Sequence, residues 1–340
     1  MTNEKFMDFM SKVTGHIKEY LPEAFQDADV SILETKKNNN VLLHGLSIKR
    51  EADRVVPNIY MEGFYEQYVN GRSLESILGN IAEVYTSSRT DRFDDIEIWF
   101  SDYEKVKERL ILQVMNKENN ASLLETIPHK DLENTDLTAI YKVLLDTQGQ
   151  GSATIPVNHE HIAYWGIDGN DLYQAALENT ERLCPAQVTN MHDIISELMG
   201  GETGSRKELS DCVIEPYNQY VLTNEQRVHG ASVMLYPEVL QRLAENSGGN
   251  LFILPSSIHE MVLMKDDGRL NAAELQTMVM EINHKLVEPE ELLSDEVYYY
   301  DKEGRSLMMA TDREQTKELL ERLGAQWGSD EMENEWEQEV

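Results

Sequence analysis

Basic residues are few in this chain. Its 340 residues carry 30 lysines and arginines against 62 aspartates and glutamates, a formal net charge of −32. Basic clusters are no longer than pairs, such as Lys36-Lys37 and nearby Lys49-Arg50, too small to form a basic face. Phosphate backbones and anionic membrane surfaces both require clustered lysine and arginine, so neither is an expected partner. Cysteine is scarcer still, at two residues, Cys184 and Cys212. Met1–Lys5 lacks the basic head and apolar stretch of an export signal, so reduced thiols in a cytoplasm are expected. Long hydrophobic runs are missing as well: no segment reaches the roughly twenty apolar residues of a transmembrane helix. What remains is an ordinary globular composition, 41% hydrophobic and 27% charged, enough to bury a sizeable core.

Periodicity divides the chain into short elements. Phe6, Phe9, Met10, Val13 and Ile17 recur at helical spacing, and Pro22 ends that helix. Strands are expected over Val30–Thr35 and Val41–Ile48, joined by an asparagine-rich turn. Helices follow over Ile59–Val69 and Leu74–Tyr85, with Gly71 as a stop and Ser73 as a cap. A helix over Tyr103–Arg109 leads into an apolar strand, Leu110–Met115. Leu137–Leu145 and Ala153–Val157 read as a hairpin through Gly149–Gly151. Asn158 and Asp168 cap helices over His159–Trp165 and Asn170–Leu183, and Met191–Met199 is a short helix. Ala231–Tyr236 reads as a strand, with Pro237 opening a helix over Glu238–Glu245. Leu251–Leu254 and Met261–Met264 look like paired strands. A strong helix, Ala272–Leu286, precedes a hairpin of Val297–Tyr300 and Ser306–Ala310, then a last helix, Arg313–Leu323.

Interspersed helices and hairpins point to an α+β fold: short antiparallel or mixed sheets with helices packed on them, in two subdomains. The expected division is 1–118, 119–326 and an acidic disordered tail, 327–340. Neither a dinucleotide-binding glycine fingerprint nor a solenoid period occurs.

Chemical motifs are equally thin. His159-Glu160-His161 would share a face on a strand and offer two metal ligands, but its context is a helix cap, where alternate residues diverge. His259-Glu260 begins like a zinc-protease helix, yet Leu263 stands where the second histidine is required. Gly200–Lys207 does not match phosphate-loop spacing and reads as a loop. Tyr60, Tyr65, Tyr68 and Tyr298-Tyr299-Tyr300 read as packing residues. No metal, cofactor or catalytic residue is therefore expected. The one exception is Ser257, His259 and Glu260, a hydrolase-like group just past a buried strand. Against it, His259 and Glu260 would alternate across the entering strand. That places His259 in a structural role.

Four strings carry a resemblance: Val55–Met61, Leu254–Glu260 (Leu-Pro-Ser-Ser-Ile-His-Glu), Met278–Asn283 and Leu292–Tyr298. Together they resemble a domain-of-unknown-function family of anaerobic Firmicutes, often carried on mobile elements, over roughly residues 5–325. The resemblance implies a bacterial cytoplasmic accessory protein and assigns no reaction. The favoured function is a non-catalytic interaction or regulatory protein whose partner offers a basic surface.

Overall fold

In a computed structural model of the chain, the described residues are 3–53, 56–88, 99–146, 153–200, 209 and 212–312. The expected turn at 149–151, the Gly200–Lys207 loop beyond Gly200, the last helix and the acidic tail lie outside them. The fold is mixed α+β, with small antiparallel sheets and helices. It divides into two compact units, Met1–Val106 and Lys107–Val340.

In the first unit, α1 (Asn3–His16) continues as a 3-10 turn, Ile17–Tyr20, that stops before Pro22. Phe6, Phe9, Met10, Val13 and Ile17 are all buried, the outcome their spacing dictates. β1 (Asp29–Lys36) pairs antiparallel with β2 (Leu42–Lys49), in register from Asp29 opposite Lys49 to Lys36 opposite Leu42. The connection works because Asn39 and Asn40 take left-handed φ values of 58° and 57°, which asparagine tolerates better than most residues. The segment expected as one helix from Ile59 starts as a two-residue strand, β3 (Ile59–Tyr60), before α2 (Glu62–Val69). α3 (Leu74–Ser88) buries Ile77, Leu78, Ile81, Ala82 and Tyr85 in the same core. Buried whole, each large side chain contributes roughly 1.5–3 kcal/mol. Tyr85 also donates its hydroxyl to the Ile48 carbonyl, tying α3 to β2. A short helix, α4 (Tyr103–Lys107), follows.

Among the described residues, the second unit holds two sheets. β4 (Leu110–Asn116), β6 (Leu137–Asp146) and β5 (His129–Asp131) lie in the order β4-β6-β5, with β7 (Ala153–Pro156) also on β6. The 110–116 segment, which sequence grouping assigns to residues 1–118, thus pairs within this unit. α5 (Ala121–Leu124), α6 (His159–Trp165) and α7 (Gly169–Leu183) come from the same stretch. β4 is an edge strand among the described residues, and side chains cap its backbone at Leu112. The Leu112 N–H donates to Thr180 Oγ1 at 2.9 Å, and Ser232 Oγ donates to the Leu112 carbonyl at 3.0 Å. Such bonds occupy at Leu112 the pairing groups that an edge strand otherwise offers.

The larger sheet runs β13-β12-β10-β11-β9-β8. Its strands are β8 (Ala186–Asn190), β9 (Tyr220–Asn224), β10 (Leu251–Ser257), β11 (Glu260–Lys265), β12 (Tyr298–Asp301) and β13 (Ser306–Met309). Side chains alternate across it. Leu251, Ile253, Leu263 and Tyr298 join Val114 and Leu137 of the smaller sheet in one core, whereas Phe252, Leu254 and Tyr299 pack with Leu275 and Val279 of α10 (Ala272–Leu286). Between β8 and β9 lies α8 (Met191–Leu198), and α9 (Val239–Ser247) precedes β10.

One expected strand is a helix. Residues 230–235 form a buried 3-10 turn: the Ser232 N–H donates back to the His229 carbonyl and the Tyr236 N–H to the Val233 carbonyl, while the Ala231 N–H reaches the Ile258 carbonyl and Ser232 Oγ the Leu112 carbonyl of β4. Pro237 accordingly lies before α9 and not in its first turn; Glu238 precedes the helix with φ 66°. Among the described residues, no helix is long and apolar enough to cross a membrane.

Candidate functional site

The β10–β11 hairpin places the serine–histidine–glutamate group of the sequence. Ser257 pairs with Glu260 across a bulge, leaving Ile258 and His259 in the turn. Ser257 is buried, and its Oγ accepts the backbone N–H of His259 at 3.0 Å. That bond ties Ser257 to the turn backbone and not to the imidazole. Glu260 enters β11, half-buried. The hydroxyl, imidazole and carboxylate are neighbours in the chain but do not form a hydrogen-bonded relay.

The His259 ring instead meets residues that sequence proximity does not disclose. Its Nδ1 accepts the backbone N–H of His229 at 3.1 Å, and its Nε2 lies 3.7 Å from Glu291 Oε1. The two rings stack, with centroids 5.7 Å apart and 14° between planes. Lys142 of β6 reaches His229 Nε2 at 3.1 Å, where the ammonium donates and the imidazole accepts. Both contacts therefore require neutral rings. Burial holds the His259 pKa below the usual histidine value; Glu291 opposes this shift and Lys142 reinforces it. The cluster joins β6, the turn after β9, the β10–β11 turn and the segment after α10.

The remaining candidates are engaged in packing. At the start of α6, Asn158 Oδ1 accepts the His161 N–H, while His161 Nδ1 accepts the Asn158 N–H. This reciprocal cap accounts for His161, while His159 and Glu160 are exposed. Among the described residues, no group of three or more histidine, cysteine, aspartate or glutamate side chains converges to hold a metal ion. The Tyr298, Tyr299 and Tyr300 hydroxyls donate to Asp136, Asp266 and Gln241. They serve buried packing, with protein partners in place of solvent.

Both cysteines are buried thiols. Burial pushes the Cys184 thiol up to about 11, which starves it of thiolate. Neither cysteine should react with an aromatic disulfide reagent near neutral pH until denaturant is added, when both should react. A rapidly labelled native thiol would contradict this placement.

These features define an α+β protein in which a polar cluster around His259 links separate segments of one unit. The chain belongs to a family of unknown function, DUF5688, matched over residues 6–302. That span includes all four strings on which the resemblance rests and ends before residue 325. No curated protein and no solved structure gives a match.

Proposed function

We propose that the chain is a non-catalytic interaction or regulatory protein of the cytoplasm, acting on a partner with a basic surface. The observation that carries this reading is the formal charge of −32. A surface so acidic attracts cationic partners over about a Debye length, ~10 Å at 0.1 M salt, and repels nucleic acid and anionic membranes. The use of Ser257 and both His259 ring nitrogens in intramolecular contacts agrees with it. In its finer form, the chain is an acidic decoy that covers the basic face of a DNA-handling protein, a role suited to mobile elements of anaerobic Firmicutes.

The test is retention from cell lysate on the immobilised full chain at about 50 mM and about 500 mM salt. An unrelated protein of equal net charge serves as control. A partner held at low salt by this chain alone, and released at high salt, is the expected result. Equal retention at high salt would overturn the electrostatic form. The absence of any partner specific to the chain would overturn the whole reading.

A further inference from the structure

We propose that the junction between the turn at residues 224–230 and the β10–β11 turn is a pH-sensitive latch, closed while His259 is neutral and opened when it is protonated. The geometry makes the ring a pin between two tightly docked turns. Asn224 shapes the first turn by donating from Nδ2 to the Val228 carbonyl at 2.8 Å and accepting the Val228 N–H at 3.2 Å. Arg227 and His229 both have φ 52°, a left-handed conformation disfavoured for residues with a Cβ. The turn is held down by the His229 N–H on His259 Nδ1, the Ala231 N–H on the Ile258 carbonyl and Thr223 Oγ1 on the His259 carbonyl. Of these three bonds, only the first has an acceptor that titrates in the physiological range.

Protonation converts Nδ1 from acceptor to donor and sets it against the His229 N–H, so two donors abut and must part. The charged and titratable groups around the ring do not compensate for this. From β6 comes the Lys142 ammonium, and from the first turn comes His229, stacked on His259. The β10–β11 turn contributes Glu260, and the segment after α10 contributes Glu291 at 3.7 Å from Nε2. Glu291 favours the charged ring and Lys142 opposes it, while burial, the largest effect, disfavours it. A histidine held below its unfolded pKa, about 6.5, contributes stability that is fully present above that value. The contribution is lost as pH falls from there through the folded value. The latch therefore opens on acidification.

Hydrogen exchange of the His229 amide in the full chain tests this, with rates corrected for the intrinsic pH dependence. Between about pH 7.5 and about pH 5.5, protection should fall roughly fivefold, the equivalent of one ordinary hydrogen bond. His259→Asn retains an acceptor near the Nδ1 position but does not titrate, so its His229 amide should change by less than about twofold. Equal pH dependence in the two proteins, or none in the parent, would overturn the proposal. If His259→Asn does not fold, the ring nitrogen spectrum of the parent decides. Nδ1 should gain its proton below the usual histidine pKa, with the His229 amide moving in step; a ring that titrates without moving that amide would refute the latch.

Discussion

Gly230→Ala should destabilise the chain by more than about 3 kcal/mol, or prevent folding altogether, in urea titrations. A Cβ at Gly230 would stand far inside van der Waals contact of Thr223 Oγ1 and the His259 carbonyl oxygen, and 3.0 Å from the Asn224 backbone nitrogen. Two of these neighbours are backbone atoms held in β9 and the β10–β11 turn, so neither can rotate away. Thr223 can move, but only by surrendering its 2.7 Å bond to the His259 carbonyl. The double variant Thr223→Ala/Gly230→Ala removes one of the three clashes and should recover only part of the loss. Full recovery would show that the side chain alone sets the constraint. A Gly230→Ala variant within about 1 kcal/mol of the parent would show that the two turns are not packed as described.

This junction also shows where the sequence was readable. The 231–236 segment, Ala-Ser-Val-Met-Leu-Tyr, has the composition of a buried strand, yet it is wound into a 3-10 turn that is anchored by the Ala231 N–H on the β10–β11 turn and by Ser232 Oγ on β4. No local pattern encodes those partners, so tertiary contacts override propensity. Where local physics suffices, reading was reliable. The Asn158 and Asp168 caps, the asparagine turn between β1 and β2 and the stripes of α1, α3 and α10 follow from spacing and side-chain chemistry. β8 and β9 were missed: each has five residues, and Ala-Gln-Val-Thr-Asn is too polar to stand out. The site was half legible. His259 could be placed at a strand entrance, but His229 lies 30 residues away and Lys142 a further 87. Their meeting depends on the packing of two sheets, which alternation along one strand does not reveal.

The same dependence on long-range pairing makes Asp136 the second position of large effect: Asp136→Ala should cost about 3–5 kcal/mol. Its Oδ2 accepts from Asn116 Nδ2 at 2.6 Å and Ser294 Oγ at 2.7 Å, and its Oδ1 accepts from the Tyr298 hydroxyl at 2.6 Å. One carboxylate thereby ties the end of β4 and the start of β6 to β12 of the other sheet. All three donors belong to buried residues, with Tyr298 fully buried. Removing the acceptor would leave them unsatisfied, a greater penalty than the net value of the bonds themselves. Burial first, and then the Asp136 charge, raises the Tyr298 pKa, so the phenol stays protonated and continues to donate. Tyr298→Phe removes a single donor and leaves the carboxylate two partners, so it should cost only about 1–2 kcal/mol. In the double variant Asp136→Ala/Tyr298→Phe, the orphaned phenol is gone, and the loss should fall below the sum of the single losses. Strict additivity would show that the two groups do not interact. An Asp136→Ala variant within about 1 kcal/mol of the parent would mean that the donors find other partners, and that the carboxylate does not join the sheets.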